Sequence, residues 1–148
     1  MNRHTRYRGA IVKDHHILLI KVCEYEKARY FWMLPGGGLE PGETAAECVQ
    51  REMKEETNIE VQVKEVLIAE DFPAGYAYKD QKTYLCDVLS GEAKPGYEPE
   101  DLPGHGFGIV DIGWFDLRNP DSWGSLILND SITCHDLNII REKLGYLT

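Results

Sequence analysis

Short apolar runs bounded by polar or turn-forming residues fill most of this chain, and in two segments the apolar positions take up helical period. Residues 8–12 and 17–23 are two such runs, with Asp14, His15 and His16 between them, a pattern that predicts a β-hairpin. A third run, Tyr30 to Leu34, ends at Pro35 and three glycines. Strand-like runs recur near 61–70, 83–89 and 109–115. Helical period covers roughly 44–57 and 130–144, and the second segment offers Asn129, Asp130 and Ser131 as caps and stops at Gly145. Strands mixed with two helices predict an α/β fold, a mixed sheet with helices packed on its faces. No repeat, low-complexity tract or linker divides residues 1–148, which read as one domain. Residues 91–108, rich in Gly, Pro and Glu, show no period. A loop of that length is either functional or a solvated surface connection.

The first helical segment is the most informative. Pro41-Gly42 reads as a turn and Thr44 as the start of the helix. Glu47, three residues on, completes a capping box. Asn58 stands just past the end, where a residue in the left-handed conformation is expected. On a helical wheel Ala45, Cys48, Val49 and Met53 share one side, while Glu47, Gln50 and Lys54 define the solvent side. Glu52 and Glu56 fall among the apolar residues, and Glu55 at the edge of the same face. A surface helix with incidental charges would carry its glutamates on the polar side. Burying ionised carboxylates without a counter-charge costs on the order of several kcal/mol, and like charges at i and i+4 also repel. A divalent cation removes both costs. Glu52 and Glu56 lie one turn apart, about 6 Å along the axis, so their oxygens can converge on one or two ions. Oxygen ligands favour Mg²⁺ or Mn²⁺ over zinc. An ion pair with Arg51 is the competing use of one of these glutamates.

Composition narrows the partners. Sixteen Lys and Arg against twenty-five Asp and Glu give 16 − 25 = −9. Such a surface repels DNA and anionic membranes, and also a phosphorylated metabolite unless a metal or a local basic cluster intervenes. Hydrophobic residues make up 43% of the chain, enough for a core without covalent staples. The four cysteines, Cys23, Cys48, Cys86 and Cys134, form no CxxC pair, so neither a structural zinc site nor a redox dithiol is expected. Scattered thiols fit a reducing compartment. Lys13, Asp14, His15 and His16 interrupt the apolar stretch after the basic N-terminus, which therefore lacks a signal-peptide core. No run reaches the ~20 apolar residues that span a bilayer. A cytoplasmic location is expected.

The segment from Gly37 to Ile59 resembles the Nudix box, GX5EX7REUXEEXGU with U bulky and apolar. Gly37 is followed after five residues by Glu43, and seven residues later come Arg51, Glu52 and Met53, then Lys54, Glu55, Glu56, Thr57, Asn58 and Ile59. Asn58 stands where the family has Gly. Asn tolerates the left-handed conformation, so the cap is expected to survive. Asn58→Gly should then be neutral or mildly stabilising, and Asn58→Val destabilising. The lead-in Trp32-Met33-Leu34-Pro35-Gly36-Gly37 and the late Trp114-Phe115 are similar to the family as well. The resemblance implies an α/β/α sandwich and a Mg²⁺-dependent hydrolase, with Mn²⁺ as the other candidate ion. It would cleave a diphosphate linkage in a nucleoside diphosphate joined to another group. It implies Glu52, Glu55 and Glu56 as metal ligands and catalytic residues together with Arg51. The backbone of Gly36 and Gly37 would lie beside the metal, with Glu43 as a structural brace.

Substrate contacts are less sharply marked. Lys21 sits in the second strand, where proteins similar to the family place a basic residue on the substrate phosphates; a solvated strand residue is the other reading. Arg3, Arg6, Arg8 and Arg29 are further cations that could face the anion. Trp32, Tyr76 and Tyr78 are candidates to stack on a base. Glu98, Glu100 and Asp101, in the loop before the Trp114 strand, are candidates for a distal carboxylate, with Glu98 assigned to the substrate. Tyr76 is similarly placed to a tyrosine of diadenosine-polyphosphate hydrolases, and Pro73 nearly matches a proline of ADP-ribose hydrolases. The expected partner is a small nucleotide-like molecule, with no DNA and no membrane; a homodimer is compatible with the chain. Rival readings are a Nudix-fold sensor that binds a nucleotide without cleaving it, and a hydrolase of oxidised nucleoside triphosphates. Removal of 5′-terminal phosphates from RNA is disfavoured by the net charge.

Overall fold

A computed structural model describes residues 4–96 and 106–146. The chain opens with β1 (His4–Lys13) and β2 (His16–Glu24), the expected hairpin. Its turn holds Asp14 at φ 50° and His15 at φ 66°. Two successive positive φ angles match the strand twist in a two-residue hairpin. β3 (Arg29–Met33) and β4 (Gly36–Gly38) follow, then α1 (Ala45–Thr57). β5 (Glu60–Asp71), β6 (Tyr78–Ser90) and β7 (Phe107–Asp116) complete the strands. A 3-10 turn (Pro120–Trp123), the short α2 (Ser125–Leu128) and α3 (Ser131–Lys143) close the chain.

The strands form a seven-stranded mixed sheet. β1 runs parallel to β6 from His4↔Tyr78 to Ile11↔Cys86, and β6 runs antiparallel to β5. β2 is antiparallel to both β3 and β7. It pairs with β1 only near the hairpin turn, at Val12↔Ile17 and Lys13↔His16. Alternation along β1 and β2 sends side chains to two cores. Ile11 and Leu18 pack with Val49 and Met53 of α1, and with Ile59, Val61 and Cys86. Ala10, Ile17 and Leu19 pack with Trp123, Ile127, Leu137 and Ile140 on the side of α2 and α3. Helices thus cover both faces, and the expected α/β/α sandwich is the fold.

Three elements differ from the sequence pattern. Gly36–Gly38, which end the third apolar run, form a strand of their own, antiparallel to β1 at Arg8↔Gly36 and Arg6↔Gly38. Glycines have no side chain to carry a period, so only the backbone pairing reveals them. The 3-10 turn and α2 were likewise unmarked, being too short for a helical period. Among the described residues no helix is long and apolar enough to cross a membrane.

Candidate active site

Local sequence builds α1 at both ends. Thr44 caps the start: its hydroxyl accepts from Glu47 N–H at 3.2 Å, and the Glu47 carboxylate accepts from Thr44 N–H at 2.9 Å. Asn58 closes the end at φ 64° and ψ 16°, the left-handed region. Between the caps Cys48, Val49 and Met53 are buried, while Glu47, Gln50 and Lys54 are exposed. Glu56 is 0% exposed and Glu52 8%, so the helix does carry carboxylates on its buried face.

Those carboxylates meet the glycine strand. Gly36 N–H donates to Glu56 Oε1 at 2.7 Å. A Cβ on Gly37 would strike the Glu52 carboxylate, so glycine lets main chain lie beside that group without displacing it. Arg51 gathers the rest. Its guanidinium donates to both oxygens of Glu43, at 2.7 and 3.0 Å, and to the Gly38 carbonyl at 3.0 Å. It also reaches Glu52 at 2.9 Å and Glu55 at 3.3 Å, with Glu40 at 3.6 Å. The bidentate contact with Arg51 holds the Glu43 carboxyl below its ordinary range, and the same contact drives Arg51 further up. Burial pushes the Cys48 thiol up to about 12, with Glu43 and Glu52 adding to the shift, so it stays neutral here.

This arrangement fits a divalent cation. Among the described residues, four carboxylates, Glu40, Glu43, Glu52 and Glu55, face the one guanidinium of Arg51. The carboxylates set against Gly36 and Gly37, those of Glu56 and Glu52, offer oxygen, and the neutral Cys48 thiol lies beside the Gly37 carbonyl. As the side chains stand, no group of three His, Cys, Asp or Glu among the described residues is arranged around a common ion position. Arg51 occupies the carboxylates instead, as its distances to Glu52 and Glu55 show.

A cavity of about 860 Å³ opens beside the cluster. Gly36, Gly37, Gly38, Arg51 and Glu52 form part of its wall; Phe31, Met33, Phe72, Tyr76, Tyr78 and Phe107 supply much of the remainder. Tyr76 stacks on Phe72 with ring centroids 5.6 Å apart and planes at 10°. The structure therefore brings Tyr76 and Tyr78 to the site, together with Arg6.

Other expected contacts do not reach it. Lys21 pairs with Trp32 across β2 and β3. The cavity is lined by their neighbours Val22, Phe31 and Met33, and successive strand residues point to opposite faces. Lys21 lies over the rings of Tyr30 and Trp32, while Trp32 packs edge-to-face on Phe115 at 4.9 Å on the α3 side. Both residues thus belong to the far face of the sheet, which corrects their assignment to the substrate. Arg8 is buried against Asp136 of α3, and Arg29 pairs with Glu24 on the surface. Arg3, Glu98, Glu100 and Asp101 lie outside the described residues. Sequence reasoning missed Phe31, Phe72 and Phe107. Alternation in β3 did separate Phe31 and Met33 from Trp32, without telling which set faces the site.

The NUDIX domain family model matches residues 3–125. An ADP-ribose pyrophosphatase of Methanocaldococcus jannaschii is 37% identical over 115 residues, 75% of this chain and 60% of that protein. An NAD-capped RNA hydrolase, NudC, of Vibrio vulnificus is 32% identical over 110 residues, 74% of this chain and 37% of that protein. The chain thus spans less than two thirds of either relative's length. The crystal structure of an ADP-ribose pyrophosphatase from Streptococcus suis matches with a TM-score of 0.68 at 26% identity, covering 95% of this chain and 91% of that one.

Proposed function

This chain belongs to the NUDIX domain family, and from that premise we propose that it hydrolyses a diphosphate linkage joining a nucleoside to a second group. The observation that carries this reading is the placement of Glu52 and Glu56. Both are buried beneath the Gly36–Gly37 strand, and Glu52 opens on a cavity walled by aromatic rings. Among the described residues the cluster sets four carboxylates against Arg51 beside that cavity, a composition that suits an added cation.

Glu52, Glu55 and Glu56 are the residues that would hold Mg²⁺ or Mn²⁺, with the backbone of Gly36 and Gly37 alongside. Held there, such an ion would supply positive charge to offset the diphosphate and make an attacking water more acidic. The chain's own residues do the rest. Glu43 grips Arg51 from the loop before α1, which fixes the guanidinium beside Glu52 and Glu55. Gly36 N–H fixes the Glu56 carboxylate. A carboxylate of this cluster accepts the proton of the attacking water. Arg6, which lines the cavity, supplies positive charge for the phosphates in place of Lys21. The Phe72–Tyr76 pair and Phe107 offer flat apolar surface to the nucleobase, since every base presents a face for stacking.

ADP-ribose and an NAD cap, named in the relatives, share one chemistry: a diphosphate between a nucleoside and another group. An NAD cap on a long RNA would meet the net charge of −9, so the free small molecules are favoured. Retention of Glu52, Glu55 and Glu56 supports hydrolysis over sensing. The test is product analysis over a panel of ADP-ribose, other nucleoside diphosphate sugars, dinucleotides and nucleoside triphosphates with Mg²⁺. The reading expects a nucleoside monophosphate and the phosphorylated second group from one or more of the diphosphates. Cleavage of triphosphates alone, or of nothing, would overturn it.

A further inference from the structure

The box helix departs from its family pattern at one residue, and that residue touches a segment distant in sequence. Asn58 closes α1 with its backbone: the N–H donates to the Lys54 carbonyl at 3.1 Å. A glycine would serve there equally well. A glycine has no amide, however, and the Asn58 Nδ2 donates to the Lys94 carbonyl at 3.0 Å, across 36 residues of chain. The same segment returns two bonds. Lys94 N–H donates to the Thr57 carbonyl at 3.1 Å, and Gly96 N–H to the Glu56 carbonyl at 2.9 Å. Carbonyls at a helix C-terminus have no donor within the helix, so these two are served from outside. Gly96 lies so close that a Cβ on it would strike the Glu55 carbonyl oxygen.

Residues 94–96 are therefore laid across the turn of α1 that carries Glu55 and Glu56. Glu56 is held at both ends: Gly36 N–H binds its carboxylate, and Gly96 N–H binds its main-chain carbonyl. We propose that Asn58 is a positioning residue, whose amide locks residues 94–96 onto the end of α1 and so sets the placement of Glu55 and Glu56 toward a cation. The proposal rests on reading those glutamates as cation ligands. Groups that orient a ligand from behind govern metal affinity without touching the metal.

The test compares wild type with Asn58→Gly, which keeps the left-handed cap, and Asn58→Asp, which keeps the shape but offers Lys94 no donor. Lys94→Ala is the control, because the Lys94 contacts are all main chain. Three quantities are read at a temperature where every variant is folded: amide exchange at Lys94 and Gly96, Mn²⁺ affinity by electron paramagnetic resonance, and kcat and KM for the substrate that wild type cleaves. Both Asn58 variants should exchange faster at Lys94 and Gly96 while the amides of Glu52 and Met53 stay protected. Mn²⁺ affinity should fall about tenfold, and kcat should fall with KM unchanged. Lys94→Ala should match wild type. Unchanged exchange in both variants would overturn the proposal, and so would faster exchange with wild-type Mn²⁺ affinity and kcat. Wild type that neither binds Mn²⁺ nor cleaves any nucleotide would instead defeat the premise, and the proposal with it.

Discussion

Arg8 and Arg51 sit on opposite faces of one sheet and solve opposite problems. Arg8, 3% exposed, meets one carboxylate, Asp136, at 2.7 Å, and donates a second bond to Thr83 at 2.9 Å. Its charge is matched within the core, and it is not among the residues that wall the cavity beside Arg51. Arg51 meets four carboxylates and stands at the wall of a large cavity. The contrast separates two uses of buried charge. A one-to-one pair joins α3 to the sheet, and a carboxylate-rich cluster beside a cavity is the arrangement proposed above to take a cation.

Deleting a carboxylate should therefore act in opposite directions on the two faces. Asp136→Ala leaves Arg8 buried and uncompensated, and is expected to cost about 3–5 kcal/mol. Denaturant melts would read this, with kcat per folded molecule unchanged. A loss below about 1 kcal/mol would show that the Arg8 side is not matched as described. Glu56→Gln should do the reverse. It removes a carboxylate's charge at constant shape, so metal-free stability should hold or rise, while turnover drops about 10²–10³-fold, as when one electrostatic contact to the reacting centre is lost. Wild-type turnover in that variant, on a substrate the parent cleaves, would erase the distinction between the faces.

The cap of α1 sharpens the comparison at smaller magnitude. Valine at position 58 must hold φ 64° with a β-branched side chain, so Asn58→Val should cost about 1–3 kcal/mol. Sequence alone made Asn58→Gly neutral or mildly stabilising. The amide bond to Lys94 changes that sign: its loss is worth about 1 kcal/mol, so a mild destabilisation is now expected in the same melts.

The smallest effect is acid sensitivity. Glu43 has its carboxyl lowered below the usual 4.5 by Arg51, so the stability it contributes is present above 4.5 and lost as pH falls below that value. Glu43→Gln should flatten the acid limb of the stability profile below pH 4.5 and leave the neutral plateau's shape unchanged. An unchanged acid limb would show that this pair is not coupled to folding.

What the sequence disclosed about this site was local. Thr44 and Glu47, the wheel position of Glu52 and Glu56, and the left-handed Asn58 all depend on neighbours within a few residues, and α1 carries them as expected. What it concealed depends on tertiary register. Lys21 and Phe31 both sit in strands whose period was legible. Which face meets the cavity is decided by the pairing of β2 with β3 and β7 and by the side on which α1 packs. The Arg8–Asp136 pair spans 128 residues and the Asn58–Lys94 bond 36, beyond any window of periodicity. Gly36–Gly38 left no apolar trace because they carry no side chain, and at Gly36 and Gly37 an added Cβ would meet its neighbours too closely.

The central claim is that the α1 carboxylates Glu52, Glu55 and Glu56 form a cation site. Thermal melts with and without millimolar Mg²⁺, at constant ionic strength, test it most directly, because an ion bound only by the folded chain raises the melting temperature by mass action. The account predicts a clear rise in wild type, a much smaller one in Glu56→Gln, and an undiminished one in Asp136→Asn, where the opposite face is altered. A melting temperature indifferent to Mg²⁺ and to Mn²⁺, or a rise equal in wild type and Glu56→Gln, would contradict it.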